Sequence, residues 1–113
     1  MIVEYRTKKL KSQCEDPNKA QKVYGKDIGV KLTQRVGEFL AATSLLDIKY
    51  IPSARLHRLK GTRANEFAVD LVHPFRLVFT PTLEENVDIN ELGSIKIIRI
   101  EEVVDYHGKQ KRK

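Results

Sequence analysis

The chain carries Asp105-Tyr106-His107 at the end of a strand-like run: an acid, a phenol and an imidazole in a row. Strand side chains alternate faces, so Asp105 and His107 are expected on one side and Tyr106 on the other. That pairing sets a proton acceptor beside a ring of a type that titrates near neutrality, which is what general acid–base chemistry requires. The surrounding chain is basic, so a polyanion is the natural substrate.

The 113 residues hold 21 Lys+Arg against 15 Asp+Glu, a formal net charge of +6. The charge is uneven. Residues 1–83 carry 15 basic and 8 acidic side chains, and residues 84–105 carry 2 and 7. Lys109, Lys111, Arg112 and Lys113 then add a basic tail. A basic body with one acidic stretch points to a nucleic-acid surface on one side. The plainer reading is a basic protein that is merely soluble.

The length fits one domain over residues 1–113 with a single modest core, and disorder is expected over 108–113. Cys14 is the only cysteine and cannot form an internal disulfide, which fits a reducing compartment. Glu4 interrupts the opening residues where a signal peptide needs an apolar run, and no stretch is long enough to span a membrane. A cytoplasmic protein with no membrane partner is expected. Cys14, His57, His73 and His107 lack the paired spacing of zinc ligands, and no Gly-rich phosphate loop is present. No metal or cofactor is expected.

The elements that must position the chemistry read as a strand, then helices, then strands. Ile2 to Arg6 is a short strand with apolar residues at 3 and 5. Asp16-Pro17 is a helix start, with a carboxylate cap before a residue that needs no helical N–H, and Gly25 is its stop. A second helix, capped by Asp27, spaces Ile28, Leu32, Val36, Phe39 and Leu40 along one face. Lys31, Gln34, Arg35 and Glu38 are expected on the opposite face. Gly37 costs this helix about 1 kcal/mol against alanine and is expected to admit a close neighbour. Lys8, Lys9 and Lys11 are expected on a solvated face.

The second half is β. Arg55 to Lys60 roughly alternates, and Phe67 to Leu71 alternates cleanly with Phe67, Val69 and Leu71 inward. Val72-His73-Pro74 reverses the chain, and Phe75 to Phe79 returns. An acidic loop over 81–93 leads to a long final strand from Ser94 to Val104. The gaps are too short for crossover helices, so an antiparallel sheet is expected. The fold class is α+β: a curved antiparallel sheet of four to five strands covered on one face by two N-terminal helices.

Three segments in order carry a family resemblance. These are Arg55-Leu56-His57-Arg58-Leu59-Lys60-Gly61, the hairpin Phe67-Ala68-Val69-Asp70-Leu71 with Phe75-Arg76-Leu77-Val78-Phe79, and Val104-Asp105-Tyr106-His107. Together they resemble the HigB branch of the RelE/ParE toxin superfamily over residues 55–107. The resemblance implies a small RelE-like fold and the toxin of a type II toxin–antitoxin pair. Such toxins are endoribonucleases that cut messenger RNA in the ribosome's decoding site. The implied partners are mRNA on the ribosome and a cognate antitoxin, a small helix-turn-helix protein encoded alongside. The implied site residues are His57, Lys60, Arg76, Asp105, Tyr106 and His107. Two departures stand out. Glu66 occupies a position where the family often has a basic residue, which bears on catalytic strength. The acidic loop from Leu83 to Gly93 exceeds the usual connection, which bears on substrate or partner fit.

Metal-free RNA cleavage needs three things: a group to take the 2′-hydroxyl proton, cations on the phosphate, and a group to protonate the leaving 5′-oxygen. His57 and His107 are the proton carriers, in either order, with Asp105 orienting the His107 ring. Lys60 and Arg76 clamp phosphate, Arg76 with a two-pronged fork. Tyr106 stacks a base or bonds the phosphate. Each residue has a duller rival. Arg76 can pair with Asp70 as a surface salt bridge worth under about 1 kcal/mol. His57 can be a plain strand residue, and His73 a structural one in a turn. Two other functions compete: a ParE-like toxin that binds DNA gyrase without cutting, and a degenerate member that only binds an antitoxin. The ParE branch does not generally end in Asp-Tyr-His.

Overall fold

The computed structural model describes residues 1–105. Tyr106, His107 and the basic tail, and with them the expectations placed on them, lie outside the described residues. The described residues form four α-helices and one five-stranded sheet, an α+β arrangement. No helix among them is long and apolar enough to cross a membrane.

Strand β1 (Ile2–Tyr5) alternates as expected, with Val3 and Tyr5 half-buried and Ile2 and Glu4 exposed. Helix α1 (Lys8–Glu15) begins where the Thr7 hydroxyl accepts the Leu10 N–H at 3.1 Å. It presents Leu10, Gln13 and Cys14 inward, a spacing of three and then one that suits one helical face. Lys8, Lys9 and Lys11 are exposed, as expected. Helix α2 (Pro17–Tyr24) follows the Asp16-Pro17 signal closely. The Asp16 carboxylate accepts the N–H groups of Asn18 at 3.0 Å and Lys19 at 3.3 Å, and Gly25 ends the helix at φ 88°. Helix α3 (Lys26–Ala41) starts directly from Gly25, with Asp27 inside its first turn rather than at its cap. A short α4 (Leu45–Lys49) follows. Four helices therefore stand where two were expected.

Two readings of α3 are corrected. Arg35 is buried, at 2% exposure, not on the solvent face, and Leu40 is 58% exposed. The physical reason is phase: Arg35 is seven residues past Ile28, about 20° from two full turns, so it shares Ile28's face. Gly37 has open space around it. The close approach is at Gly29, where a Cβ would stand 2.5 Å from the Gln21 Cα. That glycine lets α2 and α3 pack backbone to backbone.

The sheet comprises β1, β2 (His57–Arg58), β3 (Phe67–Asp70), β4 (Phe75–Pro81) and β5 (Ile97–Asp105), in the order β1-β5-β4-β3-β2. The hairpins of the second half are antiparallel as expected. The expectation of a wholly antiparallel sheet is corrected, because β1 runs parallel to β5, Ile2 opposite Ile97 through Tyr5 opposite Ile100. Short gaps dictate antiparallel pairing only for neighbours in sequence. Between β1 and β5 lies nearly the whole chain, helices included, so a parallel crossover is open to it.

Strand β5 carries a bulge. Phe79 pairs with Ile100 but Val78 pairs with Glu102, so Glu101 is an extra residue. Side chains before and after it change phase. Ile98 and Ile100 face the helices, while Glu102 and Val104 share the opposite face with Val78 and Arg76. On the helix side, Phe39 meets Phe79 edge-on at 4.9 Å between centroids, and Phe67 stacks on Phe79 at 5.8 Å. Leu32, Leu45, Ile48, Leu77, Ile95, Ile98 and Ile100 belong to the same core. Burying each such side chain contributes about 1.5–3 kcal/mol.

Candidate active site

The sheet face turned away from the helices holds a second, smaller apolar cluster: Ala68, Val78 and Val104, with Leu59 against it. Strand pairing lays out two rows there. His57 stands opposite Ala68, Ala68 opposite Val78, and Val78 opposite Glu102. In the next row Asp70 stands opposite Arg76 and Arg76 opposite Val104. His57 and Arg76 therefore share one face, two strands apart and one row along. Lys60 is exposed three residues beyond His57, where the chain enters the 3-10 turn Gly61–Arg63. Asp105 is exposed and stands opposite Phe75. Alternation along β5 thus assigns Asp105 to the Phe75 side and Val104 to the Arg76 side. The structure brings His57 and Arg76 to one face of the sheet, leaves Lys60 exposed in the turn after β2, and sets Asp105 on the opposite, Phe75 side, so Asp105 is not gathered with them.

The geometry at His57 is specific. Its Nδ1 is 2.8 Å from the Arg55 carbonyl oxygen. A carbonyl only accepts, so Nδ1 carries the hydrogen and Nε2 keeps a lone pair in the neutral ring. Nε2 is covered and has no hydrogen-bond partner among the described residues. Arg55 has left-handed backbone, at φ 46° and ψ 55°, and its N–H donates to the Pro52 carbonyl at 3.1 Å.

Asp70 is the hub of the adjoining charges. Arg55 Nε and Nη2 donate to its two carboxylate oxygens at 2.7 and 3.1 Å. This contact holds the Arg55 guanidinium above its ordinary pKa. Arg76 Nε is 3.7 Å from Asp70 Oδ1, so the cross-hairpin ion pair weighed from the sequence is present, in a looser form. Behind the sheet, buried Arg35 donates to the Asp70 carbonyl at 2.8 Å, the Ser53 carbonyl at 2.8 Å and Glu38 at 2.9 Å.

Acids also line this face. Arg63 bonds Glu66 and reaches Glu102 Oε2 at 2.6 Å. Both glutamates are buried, and the acid at position 66 faces a cation. Arg58 donates to Ala64 O and to Asn90 Oδ1 at 3.0 Å, which ties the acidic loop to β2. The bulged Glu101 accepts from Thr80 at 2.8 Å and Arg99 at 2.7 Å. A basic cleft of about 370 Å3 lies at the β1–α1 corner, bordered by Arg6, Lys8 and Lys11. His57, Lys60 and Arg76 do not line it.

Sequence reasoning missed Arg55, Arg63 and Glu102 as parts of this face. The bulge hid Glu102, and nothing in the residue string marks a left-handed arginine. Asp70 was legible only as a partner for Arg76. No protein-family model and no curated protein sequence matches this chain.

Proposed function

We propose that the chain is a HigB-like toxin of the RelE/ParE superfamily, a ribosome-dependent endoribonuclease from a type II toxin–antitoxin pair. The observation that carries this reading is the placing of His57 and Arg76 on one sheet face, with His57 Nδ1 satisfied by the Arg55 carbonyl and Nε2 covered but unpartnered among the described residues. The segment resemblance and the net charge of +6 support it. In the reaction the 2′-hydroxyl loses its proton and attacks the adjacent phosphorus. The P–O5′ bond breaks, a 2′,3′-cyclic phosphate forms, and the leaving 5′-oxygen takes a proton. His57 is one proton carrier, and Lys60 and Arg76 neutralise the crowded phosphate. Asp105, Tyr106 and His107 enter by resemblance, His107 as the second carrier.

A second reading has its own observation. Glu66 and Glu102 lie buried beside Arg63, and Asp70 beside Arg76, so acids offset the positive charge of this face. That balance favours a toxin that binds a protein such as DNA gyrase, or an antitoxin alone. Expression without a partner protein separates the readings. Primer extension on a reporter message is expected to show new 5′ ends inside codons as translation stops. His57→Gln and His107→Gln are each expected to slow single-turnover cleavage on programmed ribosomes by about 10²-fold, with ribosome binding retained. Intact message with gyrase-linked DNA breaks would replace this reading with the gyrase-binding one.

A further inference from the structure

We infer that Arg55 and Asp70 form a backbone clamp that fixes the tautomer of His57, and so act as positioning residues for the proposed site. The inference rests on the RNA-cleaving reading for its purpose but not for its geometry. A histidine ring can carry its hydrogen on either nitrogen, and only the hydrogen on Nδ1 leaves Nε2 free to accept a proton. Here the acceptor that selects Nδ1–H is the main-chain carbonyl of Arg55, at 2.8 Å. That carbonyl is aimed by the left-handed conformation of Arg55, at φ 46°. Non-glycine residues seldom occupy this region, because Cβ crowds the following carbonyl.

Two features hold Arg55 there. Its guanidinium grips both Asp70 oxygens, at 2.7 and 3.1 Å. The two stretches that flank the grip are locked to each other by Arg35, which donates to Ser53 O and Asp70 O, each at 2.8 Å. Arg35 is 2% exposed, so this link lies inside the fold. A two-pronged guanidinium–carboxylate pair at the surface contributes little to folding by itself. Its geometry is what matters here, because it converts a side-chain contact into the direction of a carbonyl.

The test separates backbone from charge. Arg55→Ala and Arg55→Gly both remove the guanidinium, but only glycine holds the left-handed conformation without strain. Nitrogen-15 NMR of the full chain, with imidazoles neutral, reads which ring nitrogen is protonated. The chain has three histidines, so the His57 signals are assigned by their loss in His57→Gln. Wild type is expected to show Nδ1 protonated and Nε2 bare. Arg55→Ala is expected to shift His57 to a mixture of tautomers, and Arg55→Gly to restore the wild-type pattern. Cleavage is expected to fall on the order of 10–100-fold in the alanine protein and to recover in part in the glycine protein.

Asp70→Asn, which weakens the grip from the other side, is expected to follow the alanine protein. It supplies the same reading should Arg55→Ala melt below the assay temperature. An alanine protein with wild-type ring signals, a wild type protonated on Nε2, or a glycine protein no better than alanine would each overturn the clamp. A wild type with the expected tautomer that leaves RNA uncut would overturn the nuclease reading and leave the clamp standing.

Discussion

On the helix side of the sheet, Phe79 meets Phe39 edge-on and stacks on Phe67, with ring centres 4.9 and 5.8 Å apart, and the charged side chain of Arg35 is buried on the same side. On the other side, three small apolar residues, Ala68, Val78 and Val104, sit among His57, Arg63, Glu66, Asp70, Arg76 and Glu102. The same strands supply both faces, residue by alternate residue. The first face removes large apolar surface from water and accounts for most of the stability. The second holds the partly exposed pairs of Asp70 with Arg55 and Arg76, which contribute little to folding, beside the pairs of Arg63 with buried Glu66 and Glu102. A face crowded with charges at little gain in stability is the place to look for function.

The largest test of this contrast is Arg35→Ala, which attacks the exception on the helix side. It would strand the Asp70 and Ser53 carbonyls and leave Glu38 without its guanidinium. A loss of about 3–5 kcal/mol is expected, a fall in melting temperature on the order of 10–20 °C. A shift of only a few degrees would mean that the buried arginine is not a structural bolt.

Next in size is a pair of glycines on one helix. Gly29→Ala drives a Cβ to 2.5 Å from backbone of α2 and is expected to cost about 1–3 kcal/mol. Gly37→Ala meets open space and is expected to stabilise by about 1 kcal/mol. Urea melts of the two proteins should move in opposite directions. If both destabilise, the close approach assigned to Gly29 alone is wrong.

A titration reaches the helix side more gently. Burial pushes the Cys14 thiol from 9.0 up to about 12, and the Tyr5 phenol from 10.0 up to about 12. Both groups are neutral in the fold and ionise more readily in the unfolded chain. Their contribution is therefore intact below about pH 9 and is lost as pH rises toward 12. Alkylation of Cys14 near neutral pH should then proceed only as fast as the protein opens. A thiol that reacts at the rate of a free peptide would place Cys14 at the surface.

The smallest effect on folding belongs to the open face. Lys60→Ala is expected to change stability by less than about 0.5 kcal/mol. It should still lower the slope of log affinity for RNA against log salt by about one contact. A change in melting with no change in salt slope would reverse the roles assigned to the two faces.

Much of the local structure could be read from residue types. Asp16-Pro17 and Gly25 bracket α2 because a carboxylate, a fixed φ and a left-handed glycine each do one job at one helix end. The Phe67–Phe79 hairpin could be read because alternate apolar residues face one core. The parts that escaped depend on partners distant in sequence. Arg35 looks like a solvent residue until its three carbonyl and carboxylate partners are in place, although its helical phase already put it with Ile28. Glu101 looks like any strand position until its neighbours across β4 show that it has none. His57 and Arg76 were legible through segment resemblance, whereas the Arg55 carbonyl that orients His57 is a backbone property that no side-chain pattern encodes.

The parallel pairing of Ile2–Tyr5 with residues 97–100 sets a timetable for folding. Among the described residues β1 pairs with β5 alone, so it waits unpaired while the helices and hairpin between them form. Closing so long a loop is slow compared with forming a helix or a hairpin. The pairing that completes this edge of the sheet is therefore a late step of folding, taken after the helices and the hairpin have formed.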